Sequence, residues 1–288
     1  MKIIDLLTEN KTTISFEVFP PKTETNFDSV KSACEQIAML KPAFMSVTYG
    51  AGGGTSKYTL DIAKDIKHNY GVPSLAHLTC VSSSKQTVHD RISDIKQAGI
   101  TNVMALRGDI PKGLENADRS TWDYQHAIEL IREIKESGDF CVGGACYPEK
   151  HPESATQEED VAFLKEKVDA GCDFLTTQMF FDNALYYNFL EKIEKVGICV
   201  PVMPGIMPIT NLVQIERAIT LSGSYIPKEF LTKLESVDAD CVKDVGIEYA
   251  TKQIIDLFEQ GVKNVHVYSM NKPEVAQKIM ENLSGILG

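Results

Sequence analysis

Short apolar runs recur along the chain at 13–19, 43–49, 74–80, 102–107, 141–147, 174–180, 199–205 and 264–269. Their length and their β-branched and aromatic content predict strands. Between them apolar residues return at helical spacing, as at 27–40, 57–69, 84–98, 123–137, 158–170 and 184–196. A longer helical region, about 210–260, carries an extra turn at Tyr225-Ile226-Pro227. Gly71, Gly99, Gly138, Gly171, Gly197 and Gly261 stand where helix C-terminal caps belong. Eight strand–helix units imply a parallel sheet, and eight close an α/β (β/α)8 TIM barrel. The competing arrangement is an open doubly wound sheet. No low-complexity linker interrupts the series, so one domain over 1–288 is expected.

Strand parity then sorts the side chains. In a barrel one strand face meets the helices and the other points inward. In "TTISFEVFPPK", Ile14, Phe16 and Val18 fall on one face, which leaves Glu17 inside, and Pro20-Pro21 stops the ladder. A carboxylate there is either satisfied by a partner or used, since an unpaired buried one is costly. Strand 2 ends with Thr48, strand 3 carries His77, strand 4 ends with Arg107, Gly108 and Asp109, strand 5 with Tyr147, and strand 6 carries Gln178. Polar side chains from six strands thus converge on the C-terminal rim, where barrels of this class place their active sites.

Composition narrows the class of partner. With 43% hydrophobic residues, the chain has material for a large core. A net charge of −11 argues against general nucleic-acid or anionic-membrane binding, so cations for an anionic ligand must be concentrated locally. No apolar run reaches the roughly 20 residues of a membrane span, and MKIIDLLTENK lacks the features of a signal peptide. Seven cysteines, an odd number, suggest reduced thiols and a cytoplasmic setting, and all seven are read as packing residues. Cys141 and Cys146, five apart on one strand, fall on opposite faces and cannot readily share a metal.

The motifs are individually weak. "YGAGGGTSKY", 49–58, is a glycine-rich strand-to-helix loop, but Thr55 breaks the dinucleotide fingerprint and there is no Walker A pattern. No GxSxG or HExxH occurs. "ALRGDIP" sets a cation and an anion about Gly108, and "ACYPEKHPES" gathers Tyr147, Lys150 and His151 in a Pro-bounded loop. His77, His151 and Asp109 lack the tight spacing of a metal site, so no metal is expected.

Taken in order, "SFEVFPPK", "VTYGAGG", "AHLTC", "ALRGD", "YPEKHPE", "KVDAGCDFLTTQMFFD" and "PGIMPITN" resemble the methylenetetrahydrofolate reductases over nearly the whole chain. The resemblance implies a barrel with FAD at the C-terminal rim and hydride transfer from NADH or NADPH through flavin to 5,10-methylenetetrahydrofolate. It implies that Glu17 is the acid that opens the folate imidazolidine ring, that Asp109 lies beside the flavin, and that Gln178 bonds the pterin. Thr48, His77, Arg107, Gly108, Tyr147, His151, Asp160 and Lys167 would hold FAD, and Gln214 would sit by the shared nicotinamide and folate position. Lys272 stands where an Arg often follows Asn and would meet the folate tail, although it cannot make a bidentate contact. Ala218 falls where some members carry a bulky aromatic. A homo-oligomer is implied, with a partner subunit that supplies electrons as a further arrangement. The competing functions are a flavin-holding electron-relay subunit and a metal-dependent aldolase or pterin transferase on the same barrel.

Overall fold

The structure, a computed structural model, describes residues 1–21, 24–49, 56–111, 113–114 and 116–287. Its strands are β1 (Thr13–Val18), β2 (Met45–Val47), β3 (Ser74–Thr79), β4 (Asn102–Leu106), β5 (Cys141–Cys146), β6 (Phe174–Thr177), β7 (Val202–Met203), β8 (Gly205–Ile206) and β9 (Asn264–Tyr268). The α-helices are α1 (Ile3–Thr8), α2 (Phe27–Met39), α3 (Ser56–Tyr70), α4 (Lys85–Gln97), α5 (Ala127–Ser137), α6 (Gln157–Asp169), α7 (Asn183–Lys195), α8 (Leu212–Ser222), α9 (Lys228–Glu235), α10 (Val242–Glu259) and α11 (Pro273–Leu283).

All strand pairs are parallel, in the order β7-β6-β5-β4-β3-β2-β1-β9-β8. The expected seventh strand, 199–205, is split at Pro204, which has no N–H to give a ladder. Its first half, β7, pairs with β6, and its second, β8, pairs with β9. Chain continuity through Pro204 therefore closes the ring, and the nine segments form the eight staves of a (β/α)8 barrel. An open sheet is excluded.

The parity argument holds on β1. Ile14, Phe16 and Val18 are buried in the layer between strands and helices, with Ile37, Ile62 and Ile279 from α2, α3 and α11. A second apolar cluster fills the N-terminal end of the barrel interior, where Leu75, Met104, Cys141, Phe174 and Met203 meet Ile3 and Leu7 of α1. That short helix plugs the barrel floor, and the backbone N–H of Ile3 donates to Asn102 Oδ1 at 2.8 Å. The expected glycine caps all adopt positive φ, from +69° at Gly71 to +158° at Gly138.

Several boundaries move. The helix expected from 123 starts at Ala127, where the side chain of Glu129 accepts from the backbone N–H of His126 at 3.0 Å. The strand expected over 43–49 is confined to Met45–Val47. The region 210–260 resolves into α8, α9 and α10. Two of the cysteines read as packing residues, Cys199 and Cys241, are exposed, while the other five are buried. Cys141 faces the barrel floor and Cys146 the helix layer, as their spacing requires. Among the described residues, no helix is long and apolar enough to cross a membrane.

Candidate active site

The C-terminal ends of the strands surround a cavity of ≈ 690 Å³, within the range of roughly 300–1,000 Å³ usual for small-molecule and cofactor sites. Glu17, Thr48, His77, Arg107, Gly108, Asp109, Tyr147, His151, Asp160, Lys167 and Gln178 all line it. Strand parity accounts for Glu17, Thr48, His77, Arg107, Tyr147 and Gln178, and for Gly108 and Asp109 just beyond β4. His151, Asp160 and Lys167 come from the loop after β5 and from α6, and were expected only from the family resemblance. Residues 50–55 of the glycine-rich loop lie outside the described residues.

Glu17 lines the cavity's inner end with its side chain 21% exposed. Burial pushes its carboxyl up to about 8, moderated by the Ser46 hydroxyl beside it. His77 Nε2 lies 3.7 Å from Glu17 Oε2, but burial takes the imidazole down to about 4. At neutral pH the pair is a protonated acid beside a neutral ring, not an ion pair. Below them is a polar layer, fully buried at Ser15, Ser46 and His266. His266 has Ser15 Oγ at 2.8 Å from Nδ1 and Ser46 Oγ at 3.0 Å from Nε2. Burial, and His77 nearby, hold it neutral at about 3. Tyr268 donates to the carbonyl of Thr177 at 2.5 Å, and burial with Glu17 close by keeps its phenol protonated.

The rim loops are tied down by side chains. Gly108 has φ +89°, and a Cβ there would approach Thr79 Cβ to 2.9 Å, so only glycine fits between Arg107 and Asp109. Arg107 makes a bidentate pair with Glu153, with Nη2 3.1 Å from Oε1. Asp109 is exposed at the mouth. Asp160 organises the Tyr147–Ser154 loop: it accepts from the backbone N–H of His151 and from Ser154 Oγ, each at 3.2 Å. Lys167 is half-buried and donates to the carbonyl of Ala145 at 2.6 Å, with desolvation lowering its pKa. His151 is likewise lowered by burial, and its ring meets Tyr147 edge-on. Gln178 Oε1 accepts from the backbone N–H of Met179 at 2.9 Å, which turns its amide N–H groups outward.

Two expected site residues do not line the cavity. Gln214 is buried and accepts from the backbone N–H of Thr210 at 2.7 Å, while Lys272 Nζ donates to Thr210 Oγ1. The two therefore meet each other at Thr210, beside the loop after β8. Ala218 is fully buried in a separate apolar cluster with Phe181, Ile215 and Phe230, because its face of α8 packs on α9 and α10.

Sequence reasoning missed the polar layer of Ser15, Ser46, His266 and Tyr268. The signal was present: in β9, Val265 and Val267 alternate with His266 and Tyr268, so parity alone sends the ring pair inward. It also missed His126 and Phe163, whose rings pair at 6.0 Å and 24° on the cavity's outer wall. His126 caps the start of α5 and Phe163 lies on α6, and no local pattern announces their meeting.

The buried atoms His77 Nε2 and Thr176 Oγ1 face this cavity without a hydrogen-bond partner. Buried polar atoms are normally satisfied, so these fit a ligand that supplies donors and acceptors at the inner end. The lining therefore offers unpaired polar atoms at its inner end and the ring faces of His126 and Phe163 at its outer end.

Comparison with known proteins agrees with that geometry. The methylenetetrahydrofolate reductase family model matches residues 2–284. The 5,10-methylenetetrahydrofolate reductase of Pectobacterium carotovorum is 35% identical over 277 residues, covering 96% of this chain and 91% of that protein. The Escherichia coli enzyme of the same name is 34% identical, covering 94% and 90%. A probable methylenetetrahydrofolate reductase (NADH) of rice is 36% identical, and the chain spans 50% of its length. Among solved structures, a Clostridium thermocellum protein that binds two copies of 5-methyl-5,6,7,8-tetrahydrofolic acid shares the fold, with a TM-score of 0.67, 15% identity and full coverage of both chains. The chain belongs to the methylenetetrahydrofolate reductase family.

Proposed function

We propose that this chain reduces 5,10-methylenetetrahydrofolate to 5-methyltetrahydrofolate, with FAD held in the rim cavity and NADH or NADPH as the source of hydride. The observation that carries the reading is the largely buried Glu17 carboxyl at the inner end of the cavity, 3.7 Å from His77 Nε2, where burial pushes its pKa up to about 8. The names of the bacterial relatives supply the substrate, and the rice relative's name supplies NADH as one donor.

FAD, when bound, supplies the two-electron carrier between nicotinamide and folate. Its choice over FMN is supported by the length of the lining, from Glu17 to the exposed ring of Phe163 beside His126, which offers an apolar surface for a purine far from the inner end. Arg107 is the fork that suits a diphosphate, and to reach one it exchanges its Glu153 partner. Asp109, exposed at the mouth, would set a carboxylate beside a bound redox ring and so would favour its giving up hydride.

Glu17 performs the proton step. Its acid form donates to the imidazolidine nitrogen of the folate, the C–N bond opens, and the resulting iminium carbon accepts hydride. His77 cannot take that proton ahead of the folate, because burial suppresses its charged form. Gln178 presents amide donors towards a pterin. Lys272, at the Thr210 cluster outside the cavity wall, suits a single contact to the carboxylate tail of the folate.

The test is an anaerobic flavin cycle on purified protein. The expected result is a yellow protein that releases FAD on denaturation, bleaches with NADH or NADPH, and recolours with 5,10-methylenetetrahydrofolate as 5-methyltetrahydrofolate forms. Bleaching by dithionite alone, followed by recolouring with folate, would assign the electrons to a partner subunit. Release of FMN, or no recolouring, would overturn the proposal.

A further inference from the structure

The turn that follows β9 is strained, and its strain has an address. Met270 and Asn271 both adopt φ +53°, the left-handed region that residues bearing a Cβ rarely enter. Asn tolerates this conformation, whereas Met has no intrinsic reason to adopt it. The turn returns the Asn271 side chain to β1. Its Oδ1 accepts from the backbone N–H of Phe19 at 2.9 Å, and its Nδ2 donates to the carbonyl of Phe19 at 2.8 Å. One residue earlier in the turn than Met270, Ser269 Oγ donates to the carbonyl of Glu17 at 2.6 Å.

Backbone pairing between β1 and β9 ends at Glu17 and Tyr268. Pro20 and Pro21 follow Phe19 and have no N–H to offer a ladder. The end of β1 would therefore be free on its β9 side, two residues beyond the acid. We propose that Asn271 is a positioning residue for Glu17: its side-chain amide adds one rung to the β1–β9 ladder past the last backbone pair, and so fixes the strand end that carries the acid. The inference rests on the reading of Glu17 as the proton donor.

Position matters here because the Glu17 environment is narrow. The carboxyl is placed between His77 on β3, Ser46 on β2 and Tyr268 on β9, and Ser46 is itself held by His266 of β9. Without the rung, Phe19 and Val18 are tied to the β9 side only through Glu17, and slack at that strand end shifts the Glu17 backbone and with it the carboxyl. The donor then sits off the line to the substrate nitrogen, and small displacements of a donor have large effects on rate.

Asn271→Gly isolates the amide, since glycine accepts the left-handed backbone without strain. The expected result is a folate half-reaction slowed tenfold or more, with flavin reduction by nicotinamide within about twofold of wild type. In a Glu17→Gln background the same change should add no further loss, because the acid it positions is gone. Asn271→Asp keeps an acceptor for the Phe19 N–H but sets an anion against the Phe19 carbonyl, and it should slow the folate half-reaction as well. Amide hydrogen exchange gives a readout independent of activity: the Phe19 N–H should exchange at least tenfold faster in Asn271→Gly. An unchanged folate half-reaction, or equal losses in both half-reactions, would overturn the inference. Absence of any folate half-reaction in the wild type would instead refute the proposed function, and the Phe19 exchange rate would still decide whether the added rung exists.

Discussion

Glu17→Gln should abolish most folate reduction while leaving the flavin site in place. The amide keeps the shape of the side chain and removes the acid. Loss of a positioned general acid slows its step by about 10²–10⁴. Hydride transfer from nicotinamide to flavin needs no proton from this group, so that half-reaction should fall by less than about tenfold. The two rates, measured by stopped flow on one preparation, separate the roles: equal losses would mean that Glu17 merely holds the cavity together. Stability supplies a second check. Folded Glu17 keeps its proton up to about 8, against 4.5 for the ordinary side chain. The folded state therefore binds an extra proton between those values, and its stability declines as pH rises through that window. Glu17→Gln removes this dependence, so its melting temperature relative to wild type should be higher at pH 8 than at pH 5.

Gly246→Ala should be strongly destabilising, although alanine is the better helix former by about 1 kcal/mol. Gly246 lies within α10, and a Cβ there would fall 1.7 Å from the carbonyl oxygen of Ile209. The obstacle is backbone, so no rotamer change relieves it. Overpacking of this kind costs about 1–3 kcal/mol and more where nothing can shift, so a loss of about 3 kcal/mol or more is expected. The segment that must move carries Thr210, which both Gln214 and Lys272 contact. Denaturant unfolding should show a lowered midpoint or no soluble protein. A midpoint at or above wild type would show that α10 does not rest on Ile209.

Those two residues mark the reach of sequence reasoning in opposite directions. Glu17 was legible because strand period is two and the apolar set Ile14, Phe16 and Val18 has only one place to go. The same rule brought Thr48, His77, Arg107 and Tyr147 to the rim, since each terminates or nears the end of a separate strand. Gly246 carried no signal, because its importance comes from a loop 37 residues earlier, at Ile209, pressing on the helix from outside. Gln214, Lys272 and Ala218 were placed by resemblance, not by period, and the structure puts them at Thr210 and in the α8–α10 core instead of on the cavity wall. α1 was missed because a six-residue helix with Lys2 at its start has neither a capping side chain nor enough turns to show a period. The split of the seventh stave was readable at Pro204, but which half joins which neighbour is set by barrel closure.

The central claim is that burial, through the barrel, keeps Glu17 protonated for folate reduction at neutral pH. Its most direct test is the pH dependence of the folate half-reaction, started from reduced enzyme so that no nicotinamide step intervenes. Because the acid form is the active one, the rate should hold level up to about pH 8 and fall by about tenfold per unit above it. A rate that breaks near the ordinary carboxylate value of 4.5 and is already low at pH 7 would contradict the account.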